Sequence, residues 1–482
     1  MPGRQRATAV STRARAVLTE WVRIDTRALA ALRIALGAIL LVDLAGRSRD
    51  LSAFYTDGGV VPRDALAALA PTFREISIHA LWGSTLAQAV LFVVAGIAAA
   101  SLLVGYRTRV ATAVSLVLLV SLHARNPAVL SGGDSLLRHL LFWGVFLPLG
   151  ERWSLDATTR ESTRSTVASV ATAGLLLQVV VVYATNAVFK FRGEMWLQGA
   201  AVEQVMLLTR HSTWLGRTLL DVPWLLTAAD YLWLGLLVCS PLLVVLTGWY
   251  RAVLPTLFAG VHAGMIVTME LGIFPFVSIA SLLPFVPRVV WNRLPSPPKL
   301  VGDGLVPFRP RPFGWEISDG LRGKVGSLRT GFAAVALCGM LLINAASVGY
   351  ITLSDGTPNA LENKAWDMFA PYPPSGDGWY VAPATLESGR QIDALQQTPL
   401  SWDRPPDVSQ TFQNRRWRKL LYQLRSPPET VLQDPLAQYL CQRWNGDHAE
   451  EIASLRLVYV EFPTRQPGRG DRIELGNVTC RG

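Results

Sequence analysis

Lysine is scarce in this chain, and one lysine sits where chemistry could use it. Of 482 residues only Lys190, Lys299, Lys324, Lys364 and Lys419 are lysines, while the other basic side chains are arginine. Lys190 closes a long apolar stretch, in Asn186-Ala187-Val188-Phe189-Lys190-Phe191-Arg192-Gly193. A guanidinium stays protonated at any useful pH, whereas an amine can give up its proton when water is withdrawn from it. A lysine held between two phenylalanines is therefore a candidate base. The plainer alternative is a stem laid in lipid with the ammonium reaching for the interface. His262, in Gly260-Val261-His262-Ala263-Gly264, lies inside another apolar stretch whose small residues allow close helix approach, so a satisfied packing histidine is its alternative. Asp134 opens a third stretch, with Arg138 four residues on at a spacing that favours a local ion pair. A helix-start cap would also explain Asp134. Charged and titratable groups at bilayer depth are costly unless paired or hydrated, so Lys190, His262 and Asp134 are the candidate catalytic residues. Arg33 and Asp43 are too far apart in sequence to pair and read as ties between helices; His123 and His139 read as membrane-interface residues.

The remaining chemistry-bearing residues point elsewhere. There is no CxxC, no HExxH and no Cys/His spacing that suggests a metal, so no metal site is predicted. Cys239 and Cys338 lie in apolar stretches, where a small hydrophobe is the default. Cys441 and Cys480 are the only cysteines in the C-terminal tail and form the disulfide candidate if that tail is exported.

The elements that must position these residues are membrane helices. Half of the residues are hydrophobic, only 17% are charged and the mean hydropathy is +0.30. A soluble domain carries about 25% charged residues, so disordered chains, coiled coils and ordinary soluble globules are excluded. A net charge of +10 raises nucleic acid as a partner, but the arginines are spread over many short loops rather than one polar module, which argues against it. A hydrocarbon core about 30 Å thick takes about 20 apolar residues per helix. By that measure spans are predicted near 28–46, 82–104, 110–124, 136–150, 166–188, 231–249, 252–269, 272–289 and 330–352. The fold class expected is thus an all-α polytopic membrane protein of about nine transmembrane helices, with a small α+β extracytoplasmic domain at its C-terminus.

Arginine placement sets the expected orientation. Arg4 to Arg27 make a basic N-terminal arm, and Arg293 to Arg329 a basic loop before the last span; the turns at Arg107, Arg109, Arg152, Arg160, Arg164 and Arg251 fall on the same side. By the positive-inside rule these face the cytoplasm, and nine spans then place the C-terminus outside. The divisions are residues 1–27, a cytoplasmic basic arm; 28–290, the main transmembrane domain; 291–329, a cytoplasmic basic loop; 330–352, the last span; and 353–482, an extracytoplasmic domain. Within the last, helices are expected around Arg415 to Gln423 and Pro435 to Trp444, and a strand from Leu455 to Phe462. With the lysine, the histidine and the aspartate at similar depth, one cavity would gather them.

At these residues the sequence resembles a known family. Asn126-Pro127, then Gly132-Gly133-Asp134-Ser135-Leu136-Leu137-Arg138-His139, and Pro148-Leu149-Gly150-Glu151-Arg152-Trp153-Ser154-Leu155-Asp156 resemble the horizontally transferred transmembrane (HTTM) domain family. That family includes the vitamin K-dependent γ-glutamyl carboxylases. Arg33-Ile34-Ala35-Leu36-Gly37, Phe54-Tyr55-Thr56-Asp57-Gly58-Gly59-Val60 and Gly105-Tyr106-Arg107 extend the likeness to about residues 20–290. Trp366-Asp367-Met368-Phe369-Ala370-Pro371 is similar to the segment after the last span in prokaryotic relatives.

The resemblance implies specific roles. The carboxylase's catalytic lysine matches Lys190, followed by Trp196 and Gly199, and its histidine in a later span matches His262. Its other histidine, preceded by two asparagines, falls on Asp134, preceded here by Gly132 and Gly133, a departure from the pattern. In that chemistry a base deprotonates a reduced vitamin K or menaquinone, oxygen converts it to a strong base, and a peptide glutamate loses its γ-proton before CO2 adds. The implied cofactor is a quinol, and the implied partners are the lipid membrane and an exported peptide or protein. Three function classes stay open: a carboxylase-like enzyme at the outer face, a non-carboxylase HTTM protein that binds a quinone or lipid, and a non-catalytic membrane immunity or assembly factor.

Overall fold

A computed structural model of the chain describes residues 2–159, 162–295, 319–350, 366–465 and 470–480. After an N-terminal helix α1 (Pro2–Trp21) and a short strand β1 (Ile24–Asp25), the membrane helices begin. They are α2 (Thr26–Ser48), α3 (Thr85–Val104), α4 (Thr108–Arg125), α5 (Gly132–Phe146) and, after strand β2 (Thr166–Val167), α6 (Val170–Lys190). Helices α7 (Pro223–Val238), α8 (Tyr250–Thr268), α9 (Phe274–Leu282) and α10 (Asp319–Val348) follow.

Helical segments thus stand in all nine expected places, but they are not nine full spans. Six are long and apolar enough to cross a membrane: α2, α3, α4, α6, α8 and the Gly326–Val348 part of α10. Helix α7 reaches that length only together with Trp214–Asp221, from which it is bent by 110°. Helix α5 has 15 residues, about 22 Å at 1.5 Å per residue, short of a core about 30 Å thick. Helix α9 is shorter still, running on as a single turn to Phe285. Hydropathy sees an apolar run and not where its backbone turns, so among the described residues six helices, or seven with the bent pair, meet the length of a span and the expected count of nine is not confirmed.

Local signals start the helices. The Asp25 carboxylate accepts from the Arg27 amide at the head of α2, Ser84 from Ala87 at the head of α3, and Ser169 from Thr172 at the head of α6, each satisfying an amide without an intrahelical partner. The helices then alternate between two rims. At one rim Arg33 donates to the carbonyls of Leu102, Leu103 and Trp153, β1 pairs with β2, and Arg329 donates to Phe146 O. At the other meet the C-terminal ends of α2, α4, α6 and α8 and the N-terminal end of α5. Arg33 ties α2 to α3, as read from sequence; Asp43, at the second rim, instead pairs within α2 with Arg47 and reaches the tail through Arg416.

The tail docks on that second rim. It comprises β3 (Gly376–Val381), β4 (Pro383–Leu386), β5 (Gln391–Asp393), β6 (Thr398–Pro399), α11 (Arg415–Gln423), α12 (Gln433–Asp447), β7 (Ile452–Pro463) and β8 (Asp471–Thr479). The long strand β7 organises an antiparallel sheet: β3 and β4 pair along one edge, β8 along the other, and β5 and β6 continue outward from β4. Both tail helices and the β7 strand lie where the sequence put them. One apolar core runs from Leu44, Phe54, Phe92 and Leu122 of the membrane part into Trp379, Trp417, Leu436 and Tyr459 of the tail. Cys441 and Cys480 are joined, with Cα atoms 5.8 Å apart, pinning α12 to the end of β8. Cys239 lies just beyond the end of α7 and Cys338 on an exposed face of α10. The tail segment before residue 366 and most of the basic loop, residues 296–318, lie outside the described residues.

Candidate functional site

Two of the buried polar clusters at the second rim hold predicted site residues, Asp134 in one and Lys190 in the other, and they differ in kind. The first surrounds Asp134. Its Oδ2 accepts from the amide and hydroxyl of Ser131, both at 2.7 Å, closing a capping box at the head of α5. Its Oδ1 takes Nη2 of Arg47 at 2.5 Å. Arg47 also holds Asp43 Oδ2 at 2.6 Å, and Arg416 of the tail holds Asp43 Oδ1 at 2.5 Å. The imidazole of His123 lies between two arginines, Nε2 3.2 Å from Arg47 and Nδ1 3.2 Å from Arg138. The local Asp134–Arg138 pair expected from spacing is absent: Asp134 finds Arg47, and Arg138 turns to His123 and Ser135. Likewise His123 is fully buried rather than at a lipid interface, while His139 packs near Trp366. Ligand atoms of Asp43, His123 and Asp134 lie within 4.8 Å of one another, the donor set of a metal centre. However, every carboxylate oxygen there already receives an N–H or O–H, and arginine supplies the positive charge an ion would bring. The cluster is an ion-pair core that bolts the tail to the helices.

The second cluster surrounds Lys190, which is only 1% exposed. Its Nζ stands 3.0 Å from the centroid of the Trp196 ring and donates to Met368 O at 3.2 Å. No carboxylate lies within ion-pair distance of it among the described residues; the acidic groups whose fields reach it, Asp230 and Asp367, act from farther off. The amine borders a cavity of about 490 Å³ between α6, α7 and α8, whose lining is almost wholly apolar, including Trp233, Met265, Phe274 and Phe369. Among the few polar lining residues is Asn186, one helical turn before Lys190, whose Oδ1 is buried without a partner.

The tail closes this cavity. Asn186 Nδ2 donates to the carbonyls of Trp366 and Asp367, Lys190 to that of Met368, and Trp196 Nε1 to that of Phe369, so three side chains read four successive carbonyls. Gly193 is required by this fit, because a Cβ there would stand 1.8 Å from Pro371 O. Met368 and Phe369 are in the left-handed backbone region, at φ 25° and 64°, a conformation that bulky residues keep only when their surroundings impose it. Behind them His211 packs edge-on to Phe369 at 5.5 Å; burial, with Arg418 and Arg210 adding to it, holds its imidazole well below the ordinary range and therefore neutral.

The three predicted site residues are consequently not gathered in one cavity. Lys190 borders it. His262 stands one layer behind, its Nδ1 donating to Phe258 O at 2.8 Å and its Nε2 buried without a partner, against Trp233 and Phe274, which line the cavity. Asp134 is in the ion-pair core, although its neighbours Ser131 and Gly132 reach the cavity wall. Sequence reading missed Arg47, Arg416 and the Met368 carbonyl. The four-residue spacing of Asp43 and Arg47 was a signal for the first; nothing local marks the other two, which arrive from the tail.

The HTTM domain model matches residues 21–291, more than half of the chain and every membrane helix but the last. The chain belongs to the HTTM family. No curated protein and no solved structure matches it. The HTTM match ends at Trp291, so most of the Lys190 cavity's lining belongs to the family domain, while Met368 and Phe369, which complete it, come from the strap at residues 366–371 beyond that domain. The ion-pair core is likewise shared, with Asp43, Arg47, His123 and Asp134 from the HTTM domain and Arg416 from the tail.

Proposed function

We propose that this HTTM protein is a membrane enzyme in which Lys190 moves a proton to and from an apolar quinol-type ligand, in the service of a carboxylase-like modification of an exported peptide. The observation that carries the reading is a buried amine with no carboxylate partner among the described residues, bordering an apolar cavity whose wall also includes Asn186, its Oδ1 buried without a partner. A naphthoquinol fits these residues: an aromatic and aliphatic lining suits its ring and isoprenoid chain, Asn186 Oδ1 would accept from one hydroxyl and Lys190 would face another. When bound, such a quinol supplies, with oxygen, a base strong enough to take a carbon-bound proton. The protein's own contributions are to hold the amine where it can take or return a proton, to orient it on Trp196, and to exclude water by the strap at residues 366–371. His262, behind the wall, is a positioning residue for Trp233 and Phe274. Asp134 supplies structure, not acid–base chemistry.

Orientation belongs to the same reading. The arginine-rich arm and loop support a cytoplasmic N-terminus, and the Cys441–Cys480 bridge suits a tail in an oxidising compartment. Alkaline phosphatase fused after the tail should be active, and fused near residue 305 silent; the reverse pattern would remove the outer-face site.

The ligand is tested by extraction. Protein purified from its native membrane should yield an isoprenoid naphthoquinone by mass spectrometry, near one per chain, and Ala229→Phe, which fills the cavity, should lose it without a change in melting. No quinone in the wild-type extract would remove the cofactor and leave a lipid-binding or a non-catalytic membrane factor as the reading.

A further inference from the structure

At the rim away from the tail lies a second cavity, of about 600 Å³. Its apolar side is the Ala31, Ile34 and Ala35 face of α2; its polar side includes Arg152 and Arg288. Trp153 and Trp291, with ring centroids 5.9 Å apart, also line it. A third arginine, Arg27, is already used: it holds Asp25 through Nε and Nη2 and donates to Asn292. Arg152 and Arg288 are different. Neither makes a side-chain hydrogen bond or ion pair among the described residues, and Arg152 Nε is buried without a partner.

Two guanidiniums that face one cavity repel each other, and a buried N–H with no acceptor carries a full desolvation cost. The missing component is an anion with several acceptor oxygens, and the planar guanidinium fork matches phosphate. Inorganic phosphate alone would leave the Ala31–Ile34–Ala35 face uncovered. An acyl chain covers it. Tryptophans at headgroup depth and basic pockets between transmembrane helices are both features of acidic-lipid sites. We infer that this cavity binds an acidic phospholipid, its phosphate between Arg152 and Arg288 and one acyl chain along the small-residue face of α2. No part of this depends on what the Lys190 cavity holds.

Native mass spectrometry of the full-length protein in detergent tests it, with dioleoylphosphatidylglycerol and dioleoylphosphatidylcholine added in equal amounts. Phosphatidylglycerol should be retained in clear preference, and the double change Arg152→Gln with Arg288→Gln should weaken its retention roughly thirty-fold. Arg288 is exposed, so Arg288→Gln alone should give a smaller loss in a protein whose fold is not in question. Ala35→Trp, which keeps both arginines, should also displace the lipid, while Arg192→Gln at the opposite rim should not. Equal retention of the two lipids, or undiminished phosphatidylglycerol on the double variant, would overturn the proposal. Displacement of the lipid by millimolar inorganic phosphate would show a free-phosphate site and overturn the lipid assignment.

Discussion

Asp134 and Lys190 lie at the same rim, each only 1% exposed, and the protein treats them in opposite ways. Around Asp134 every oxygen is answered: arginine on one, a capping serine on the other. Around Lys190 the charge is left without a carboxylate among the described residues, and an aromatic face and one carbonyl take its place. A buried charge that is fully paired has its protonation state fixed, which suits a bolt between domains. A buried amine that is not paired keeps both states within reach, which suits proton transfer. Burial and charge alone, the properties that singled out both residues in the sequence, do not separate these roles; the completeness of the partner set does.

The largest effect should come from the paired side. Asp134→Asn leaves Arg47 facing an amide and removes the carboxylate that caps α5. Breaking one partner out of a buried ion pair costs about 3–5 kcal/mol, so melting of the detergent-solubilised protein should fall steeply and the tail should become sensitive to protease. A variant as stable as the wild type would show that the core is not what joins tail to helices.

A smaller effect should come from acid. His79, in the loop before α3, has Nδ1 2.7 Å from Ser121 Oγ, and burial, with Arg125 adding to it, lowers its imidazole to about 4. The folded group stays neutral while the unfolded one charges below about 6.5. Stability is therefore full above that value and declines as the pH falls from about 6.5 to about 4, by about 3 kcal/mol at 1.36 kcal/mol per unit. His79→Gln should flatten the melting curve against pH across that window. An unchanged slope would place the acid sensitivity elsewhere.

Much of this architecture is legible in the residues. Apolar blocks with arginine between them gave the helices in their places, and Arg415 to Gln423, Pro435 to Trp444 and Leu455 to Phe462 gave three tail elements. The strands β3 to β6 were not legible, because each is short: β3 and β4 take their partner from β7, some seventy residues or more away in the chain, and β5 and β6 only extend the sheet that this pairing starts. β8 was hidden by its exposed, mostly polar face. At the site, Lys190 stood out by type and position. The strap that meets it did not: its contact is made through the carbonyl of Met368, and a carbonyl has no sequence signature. The pairing of Asp43 with Arg416 crosses more than three hundred residues and is equally invisible before the chain folds.

Whether the Lys190 amine takes part in chemistry is tested most directly by Lys190→Arg. Arginine keeps the charge and most of the stem but cannot surrender its proton. If Lys190 is the base, turnover, read through whatever phenotype deletion of the gene produces, should fall by about 10²–10⁴, while melting and the bound quinone change little. A fully active Lys190→Arg protein would contradict the account and leave the cavity as a binding site without catalysis.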